Sequence, residues 1–182
     1  NVSSGWPQFR GPNRDGVAPA QGTEINWSNA PLLRWRVSAG EGHSSIITFG
    51  QSVITMEQDG PEELVIARSL KDGKTLWRHA VKTRWGDFMS GVGPRSTPTL
   101  HAGKLYALFT DGSLVCLQAD SGKPLWNTKV VNDEPEFPEW GLSCSPLAWN
   151  DLVIVTPGGE NGATRAYQTD SGKLAWSSDL HG

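Results

Sequence analysis

The chain contains the stretch Ser121-Gly122-Lys123-Pro124-Leu125-Trp126, and a close copy lies on each side of it. The earlier copy is Asp72-Gly73-Lys74-Thr75-Leu76-Trp77, and the later one is Ser171-Gly172-Lys173-Leu174-Ala175-Trp176. The three tryptophans are 49 and 50 positions apart, and ten positions before each of them stands a small residue: Ala67, Cys116 or Ala166. Self-similarity at a constant period of this length indicates a repeat protein, in which each repeat is one supersecondary unit.

The second repeat shows what one unit contains. It has four short apolar stretches, at residues 98–100, 104–109, 113–118 and 125–130. They are separated by Ala102-Gly103, Asp111-Gly112 and Ser121-Gly122, which are residue pairs that favour tight hairpins. No window has the apolar spacing of an amphipathic helix. Each unit is therefore predicted to be a four-stranded antiparallel sheet.

Four-stranded units at a period of 40 to 50 residues are typical of β-propeller blades. A β-sandwich, the competing all-β fold, would not explain tryptophans that recur in phase. We expect each tryptophan to pack into the next unit, because one small sheet cannot bury that ring alone. The residues predicted to form these docking contacts are Gly73, Lys74, Trp77, Gly122, Lys123, Trp126, Gly172, Lys173 and Trp176.

The repeats divide the chain into three predicted blades. The blades are residues 38–80, 81–130 and 131–179, and residues 180–182 would begin the next connection. Residues 1–37 form an N-terminal extension, in which Trp35 is predicted to lie on the outer strand of a further blade. Propellers normally close with about 4 to 8 blades. We therefore expect these blades to belong to a larger ring, completed by self-association or by a second chain.

Composition and charge exclude several classes of protein. The chain has 182 residues, with 16 Lys and Arg against 19 Asp and Glu, and no basic cluster of the kind that binds nucleic acid. It has no apolar run of about 18 residues, so no membrane span is predicted. The 21 glycines follow no three-residue period, which excludes collagen. Its two cysteines, Cys116 and Cys144, cannot build a disulfide framework.

The connections between blades contain the candidate binding residues. In phase before the first strands stand His43-Ser44, Arg95-Ser96 and Ser143-Cys144, which we expect to meet at one rim of the central channel. Arg95 would offer a bidentate cation and Trp140 a flat apolar wall. Such a rim suits a small planar or acidic ligand, or an acidic protein segment. The alternative is that these side chains only form hydrogen bonds with channel water and between blades. We predict no catalytic residue and no metal site.

Several motifs resemble one known superfamily. The Gly-Lys-x-x-Trp endings resemble those of the pyrroloquinoline-quinone-type propellers, which include quinoprotein alcohol dehydrogenases and the periplasmic outer-membrane assembly propeller. Three further segments resemble exported bacterial members: Trp6-Pro7-Gln8-Phe9-Arg10-Gly11-Pro12-Asn13-Arg14-Asp15-Gly16, Gly93-Pro94-Arg95-Ser96-Thr97-Pro98-Thr99 and Pro138-Glu139-Trp140-Gly141. The resemblance covers nearly the whole chain and implies a ring of seven or eight blades in an exported protein, in the periplasm or outside the cell.

The resemblance leaves two functions open. Quinone-dependent dehydrogenases stack pyrroloquinoline quinone on a pair of adjacent cysteines and hold calcium through a Glu, an Asn and an Asp. This chain has no adjacent cysteine pair, and none of those calcium ligands can be matched. We therefore predict no cofactor and a non-catalytic module that binds or scaffolds other molecules. The alternative is part of a quinone-dependent alcohol dehydrogenase whose catalytic blades lie outside this chain.

Overall fold

The structure is a computed structural model that describes residues 5–18, 28–131, 141–158 and 164–178. Within these ranges the chain forms strands and turns and no α-helix, so nothing there is long and apolar enough to cross a membrane as a helix. The strands make three four-stranded antiparallel sheets in which consecutive strands are neighbours. The predicted all-β fold built from four-stranded antiparallel sheets is confirmed.

The strands are numbered in chain order. Blade 1 consists of β1 (Ile47–Phe49), β2 (Ser52–Asp59), β3 (Glu62–Ser69) and β4 (Thr75–Val81). A small hairpin of β5 (Gly86–Asp87) and β6 (Gly91–Val92) follows. Blade 2 consists of β7 (Thr99–His101), β8 (Lys104–Leu108), β9 (Ser113–Gln118) and β10 (Pro124–Lys129). Blade 3 consists of β11 (Leu147–Trp149), β12 (Leu152–Val155), β13 (Arg165–Gln168) and β14 (Leu174–Ser177). The boundary predicted between residues 130 and 131 falls in a connection, whereas the one between residues 80 and 81 falls at the end of β4. The division into units stays a prediction.

Blade 2 lies between the other two blades and is apolar on both faces. Leu105, Ala107 and Phe109 join the core shared with blade 1, whereas Tyr106 and Leu108 join the core shared with blade 3. Successive residues of a strand point to opposite faces. This is why residues 104–109 show so little alternation of polar and apolar side chains: both faces are buried.

Each repeated tryptophan lies opposite the small residue that stands ten positions before it. Trp77 pairs with Ala67, and Trp126 pairs with Cys116 across the last two strands of their blades. In both blades the register shifts beside this pair, as a β-bulge. A small partner leaves room for the indole ring to turn away from its own sheet.

The ring of each of these tryptophans lies against the glycine of the following repeat. A Cβ atom placed on Gly122 would lie 2.4 Å from the Trp77 ring, and one on Gly172 would lie 2.6 Å from the Trp126 ring. Both glycines have positive φ, at 69° and 67°. Only a residue without a side chain lets the ring approach this closely.

No strand forms around Trp35 among the described residues, and its place on the outer strand of a further blade stays a prediction. Residues 30–40 form no strand, because within the described residues no neighbouring strand lies beside them to complete a ladder. Trp35 nevertheless behaves like the other repeated tryptophans. Its ring would lie 2.7 Å from a Cβ on Gly73, and its indole N–H donates to the carbonyl oxygen of Leu70 at 2.9 Å.

Residues 5–18, here called the N-terminal strap, cross the first strand of all three blades. Trp6 and Thr48 of blade 1 exchange two hydrogen bonds, of 2.7 Å to the Thr48 hydroxyl and 2.9 Å from the Thr48 N–H. The N–H of Leu100 in blade 2 donates to the Pro7 carbonyl at 2.8 Å. The Arg14 guanidinium donates to the carbonyl of Pro146, next to β11, at 3.1 Å. The strap therefore ties the inner edges of the three blades together.

Candidate functional site

The first strands of neighbouring blades are joined by hydroxyl side chains. The backbone N–H of Ser45 donates to Thr97 Oγ1 at 2.9 Å, and the N–H of Thr97 donates to Ser145 Oγ at 2.9 Å. The three hydroxyl residues are in phase in the sequence. Hydrogen bonds between blades, one of the two roles considered for the rim residues, are therefore present. They are made by the residues that directly follow the predicted rim residues in the sequence.

His43 and Ser44 lie at this rim and are held by the chain. The His43 ring Nε2 is 2.7 Å from the carbonyl oxygen of Ser90, and its backbone N–H donates to Pro94 at 2.8 Å. The Ser44 hydroxyl accepts from the N–H of Met56 at 3.2 Å and donates to the carbonyl of Ser45 at 3.1 Å. Both side chains thus stabilise the loop around them.

Arg95 follows β6, and its side chain binds residues of the β5–β6 hairpin and of the segments next to it. Its guanidinium forms an ion pair with Asp87 at 3.0 Å and donates to the Gly93 carbonyl at 3.0 Å and to the Ser90 hydroxyl. It also lies 4.2 Å from the centre of the Trp85 ring, a cation–π distance. Hydrogen bonds from Ser90, with the nearby Arg95 charge, hold the pKa of Asp87 below its ordinary value. The carboxylate is therefore ionised and matched by Arg95.

Two further predicted rim residues are Ser96, before the first strand of blade 2, and Trp140, after its last strand. Ser96 is buried, and its hydroxyl oxygen has no hydrogen-bond partner in the described part of the chain. Trp140 lies outside the described residues.

The structure brings Ser143 and Cys144 together with Arg95 around one cavity of about 430 Å³. Two residues of the N-terminal strap, Phe9 and Arg14, form another part of its wall. The remaining lining residues come from the first two strands of blade 3 and the residues next to them: Ser145, Leu147, Ile154, Val155 and Thr156. His43, Ser44 and Ser96 do not line it. The ligand role of the predicted rim residues stays a prediction.

Burial sets the ionisation of the cavity wall. It raises the pKa of the Cys144 thiol, against smaller opposing effects of hydrogen bonds and of Arg14, so the thiol is protonated at neutral pH. Burial also lowers the pKa of Arg14, whose guanidinium donates to the carbonyls of Ser145 and Pro146. A protonated thiol is a poor nucleophile. The cavity wall contains hydroxyl groups and the guanidinium groups of Arg14 and Arg95, both of which are bonded within the chain. The described residues include no group of three or more His, Cys, Asp or Glu that could hold a metal ion.

Phe9 and Arg14 were not among the predicted site residues. They lie more than 130 positions before Ser145 in the sequence, outside the repeats, and no period links them to the rim. The one sequence signal that pointed to them is the opening segment from Trp6 to Gly16, which resembles the N-terminus of exported bacterial family members.

Comparison with known proteins assigns the chain to a family. Residues 61–182 match the family described as outer membrane protein assembly factor BamB. The chain belongs to this family of β-propeller repeat proteins, as the resemblance implied.

Individual relatives fall into two functional groups. The chain is 30% identical over 171 residues to the outer membrane protein assembly factor BamB of Burkholderia pseudomallei, covering 88% of this chain and 38% of that protein. It is 31% identical over 119 residues to the quinohemoprotein alcohol dehydrogenase ADH IIB of Pseudomonas putida, covering 62% of this chain and 17% of that protein.

A solved structure shows the same fold. The quinohemoprotein alcohol dehydrogenase from Comamonas testosteroni superimposes with a TM-score of 0.72 at 18% identity, over 98% of this chain and 27% of that one. The chain therefore spans between 17% and 38% of the length of these proteins.

Proposed function

We propose that this chain is a propeller module of an exported bacterial protein, and that it binds a protein partner without catalysing a reaction. The observation that carries the proposal is the 30% identity to an outer membrane protein assembly factor along 88% of the chain. The match to the alcohol dehydrogenase ADH IIB covers a smaller part of the chain, 62%. Location in the periplasm or outside the cell belongs to the same proposal.

The residues of the cavity do not fit pyrroloquinoline quinone. A planar tricarboxylate needs free cations at its edge, but Arg95 is matched by Asp87 and Arg14 is bonded to backbone carbonyls. The cysteine platform is also missing, because Cys116 is fully buried between blades 2 and 3 while Cys144 lines the cavity. These side chains support a structural rim better than a quinone site.

A direct assay separates the two functions. The full-length protein that contains this chain is purified and incubated with pyrroloquinoline quinone and calcium chloride, and reduction of a phenazine dye is followed after addition of 1-butanol. We expect no quinone-dependent reduction, whereas an authentic quinohemoprotein alcohol dehydrogenase gives it under the same conditions. Dye reduction that is abolished by Cys144→Ser or Arg14→Gln would show that the cavity is catalytic and that the proposal is wrong.

A further inference from the structure

The hairpin of β5 and β6 carries two bare apolar side chains at its tip. Phe88 is 98% exposed and Met89 is 69% exposed, which makes Phe88 the most exposed large apolar residue in the described part of the chain. The hairpin lies in residues 82–96, which interrupt the repeat pattern between blades 1 and 2. Exposed large apolar side chains on a soluble surface are often parts of interaction sites.

Hydrogen bonds to Asp87 hold the backbone of the tip. Asp87 Oδ1 accepts hydrogen bonds from the N–H groups of Met89 and Ser90, both at 2.7 Å. The second oxygen of Asp87 binds Arg95, whose guanidinium also lies over the Trp85 ring. The turn is therefore pre-formed, and binding would not have to order it.

The connections that lead into blades 1 and 3 also brace the hairpin. The His43 ring contacts the Ser90 carbonyl at 2.7 Å, from the residues before blade 1. A Cβ on Gly141, before blade 3, would lie 2.9 Å from the Trp85 ring. Residues expected to bind a ligand at the rim, His43 and Arg95, thus position this hairpin.

We propose that the β5–β6 hairpin is the docking element for the protein partner, with Phe88 and Met89 inserting into an apolar pocket of that partner. This inference rests on the proposed protein-binding function and names the surface that performs it. A rigid aromatic anchor that fills a pocket is the usual form of a binding hot spot.

The charges near the hairpin and the small apolar surface of its tip indicate what kind of partner it binds. Asp87 is matched by Arg95 and Glu41 by Arg84, whereas Lys82, the residue after β4 and four positions before the hairpin, is exposed with no ion-pair partner among the described residues. The pocket is therefore expected to have acidic residues at its edge. A lipid surface is the weaker occupant, because even a single myristoyl chain gives only marginal membrane binding and two side chains offer less apolar surface.

Site-specific cross-linking tests where the partner binds. Benzoylphenylalanine is introduced at position 88 of the full protein and, as a matched control, at Trp149. Trp149 is 65% exposed and is the last residue of β11 in blade 3, whereas the hairpin precedes the first residue of β7, the corresponding strand of blade 2. After irradiation in an extract of the source cells, we expect a defined protein to cross-link from position 88 and not from position 149.

Affinity measurements with the purified cross-linked protein then decide the inference. We expect Phe88→Ser to weaken binding at least 10-fold, Phe88→Leu to retain most of it, and Trp149→Ser to change it less than 2-fold. Circular dichroism verifies that each variant is folded, as expected for exposed positions.

The remaining outcomes distinguish the inference from the proposed function. If a partner binds all variants equally, the docking role of the hairpin is wrong, while the proposed protein-binding function still stands. Failure to cross-link any protein from position 88 contradicts the hairpin; if, in addition, no protein co-purifies with the full protein, the proposed function is contradicted as well. The protein is also tested for flotation with vesicles of phosphatidylglycerol and phosphatidylethanolamine. If flotation depends on Phe88, the hairpin binds a lipid surface and the inferred protein pocket is wrong.

Discussion

At the scale of single residues, the contact between a tryptophan and the next glycine is the feature that recurs most regularly. Trp35, Trp77 and Trp126 lie against Gly73, Gly122 and Gly172, and all three glycines have positive φ. Each glycine therefore meets two requirements at once: a left-handed backbone and room for a ring.

These two requirements can be separated by substitution. Gly122→Ala adds a Cβ that would lie 2.4 Å from the Trp77 ring, whereas Gly103→Ala in the same blade meets nothing within 4 Å. The φ angles are similar, at 69° and 75°, so both variants carry the backbone strain. We expect Gly122→Ala to lower the free energy of unfolding by about 1–3 kcal/mol more than Gly103→Ala, the usual penalty of overpacking.

Urea unfolding followed by tryptophan fluorescence measures this difference. Equal losses of stability in the two variants would mean that the ring simply moves aside, and that the glycine is required only for its backbone angle.

At the scale of secondary-structure elements, the blades are joined by polar contacts as well as by their apolar cores. Glu63 on β3 is fully buried, and its carboxylate accepts hydrogen bonds from Thr110 between β8 and β9, at 3.1 Å from the N–H and 2.5 Å from the hydroxyl. Burial raises the pKa of Glu63; nearby Asp111 adds to this effect, and the hydrogen bonds and Arg95 oppose it.

The raised pKa predicts how stability depends on pH. The folded protein binds this proton more tightly than the unfolded chain does, so this contribution to stability is complete below the ordinary pKa of about 4.5 and decreases as pH rises through the raised pKa. Glu63→Gln keeps an acceptor and a donor toward Thr110 and carries no charge. We expect it to remove this decrease and to raise the melting temperature at pH 7.

Thermal unfolding of both proteins between pH 4 and pH 8 tests the prediction, with the more exposed neighbour Glu62→Gln as control. Parallel pH profiles for Glu63→Gln and the original protein would show that the carboxyl is not the group responsible.

At the scale of the whole molecule, the two outer blade faces differ. Trp35 lies against blade 1, where it covers Gly73. On blade 3, β14 is exposed along its whole length, with Leu174 at 56% and Trp176 at 43% exposure. Blade 3 therefore leaves Trp176 partly bare, whereas its counterparts Trp77 and Trp126 lie against the glycine of the following repeat.

This asymmetry leads to a prediction about association. These 182 residues are expected to self-associate at micromolar concentration through blade 3, because burial of apolar surface stabilises by about 25 cal/mol per Å². Replacing both Leu174 and Trp176 by Ser should shift the population toward monomer, whereas Leu125→Ser on β10 should not. Sedimentation velocity measures the distribution. A folded monomer of about 20 kDa at every concentration would contradict the prediction.

Much of the fold was predictable because it is repeated locally. Hairpin turns, short apolar strands and the small residue opposite each tryptophan depend on neighbours within one unit, and these recur in phase. The strand predicted around Trp35 is not formed among the described residues for a related reason, and its place in a further blade stays a prediction. Its sequence resembles that of the outer strands, but a strand needs a neighbour to pair with, and the described residues supply none.

For the candidate site, the sequence predicted which connections would contain it, and the ligand role of those residues stays a prediction. The sequence by itself determined the blade repeat, the tryptophan contacts and the connections that form the rim, because each follows from periodicity and turn chemistry. Only the tertiary structure decided that Arg95 pairs with Asp87, that Arg14 reaches Ser145 from 131 positions away, and that Phe88 is left bare. Such contacts depend on the distance between side chains after folding, and no local pattern along the chain encodes that distance.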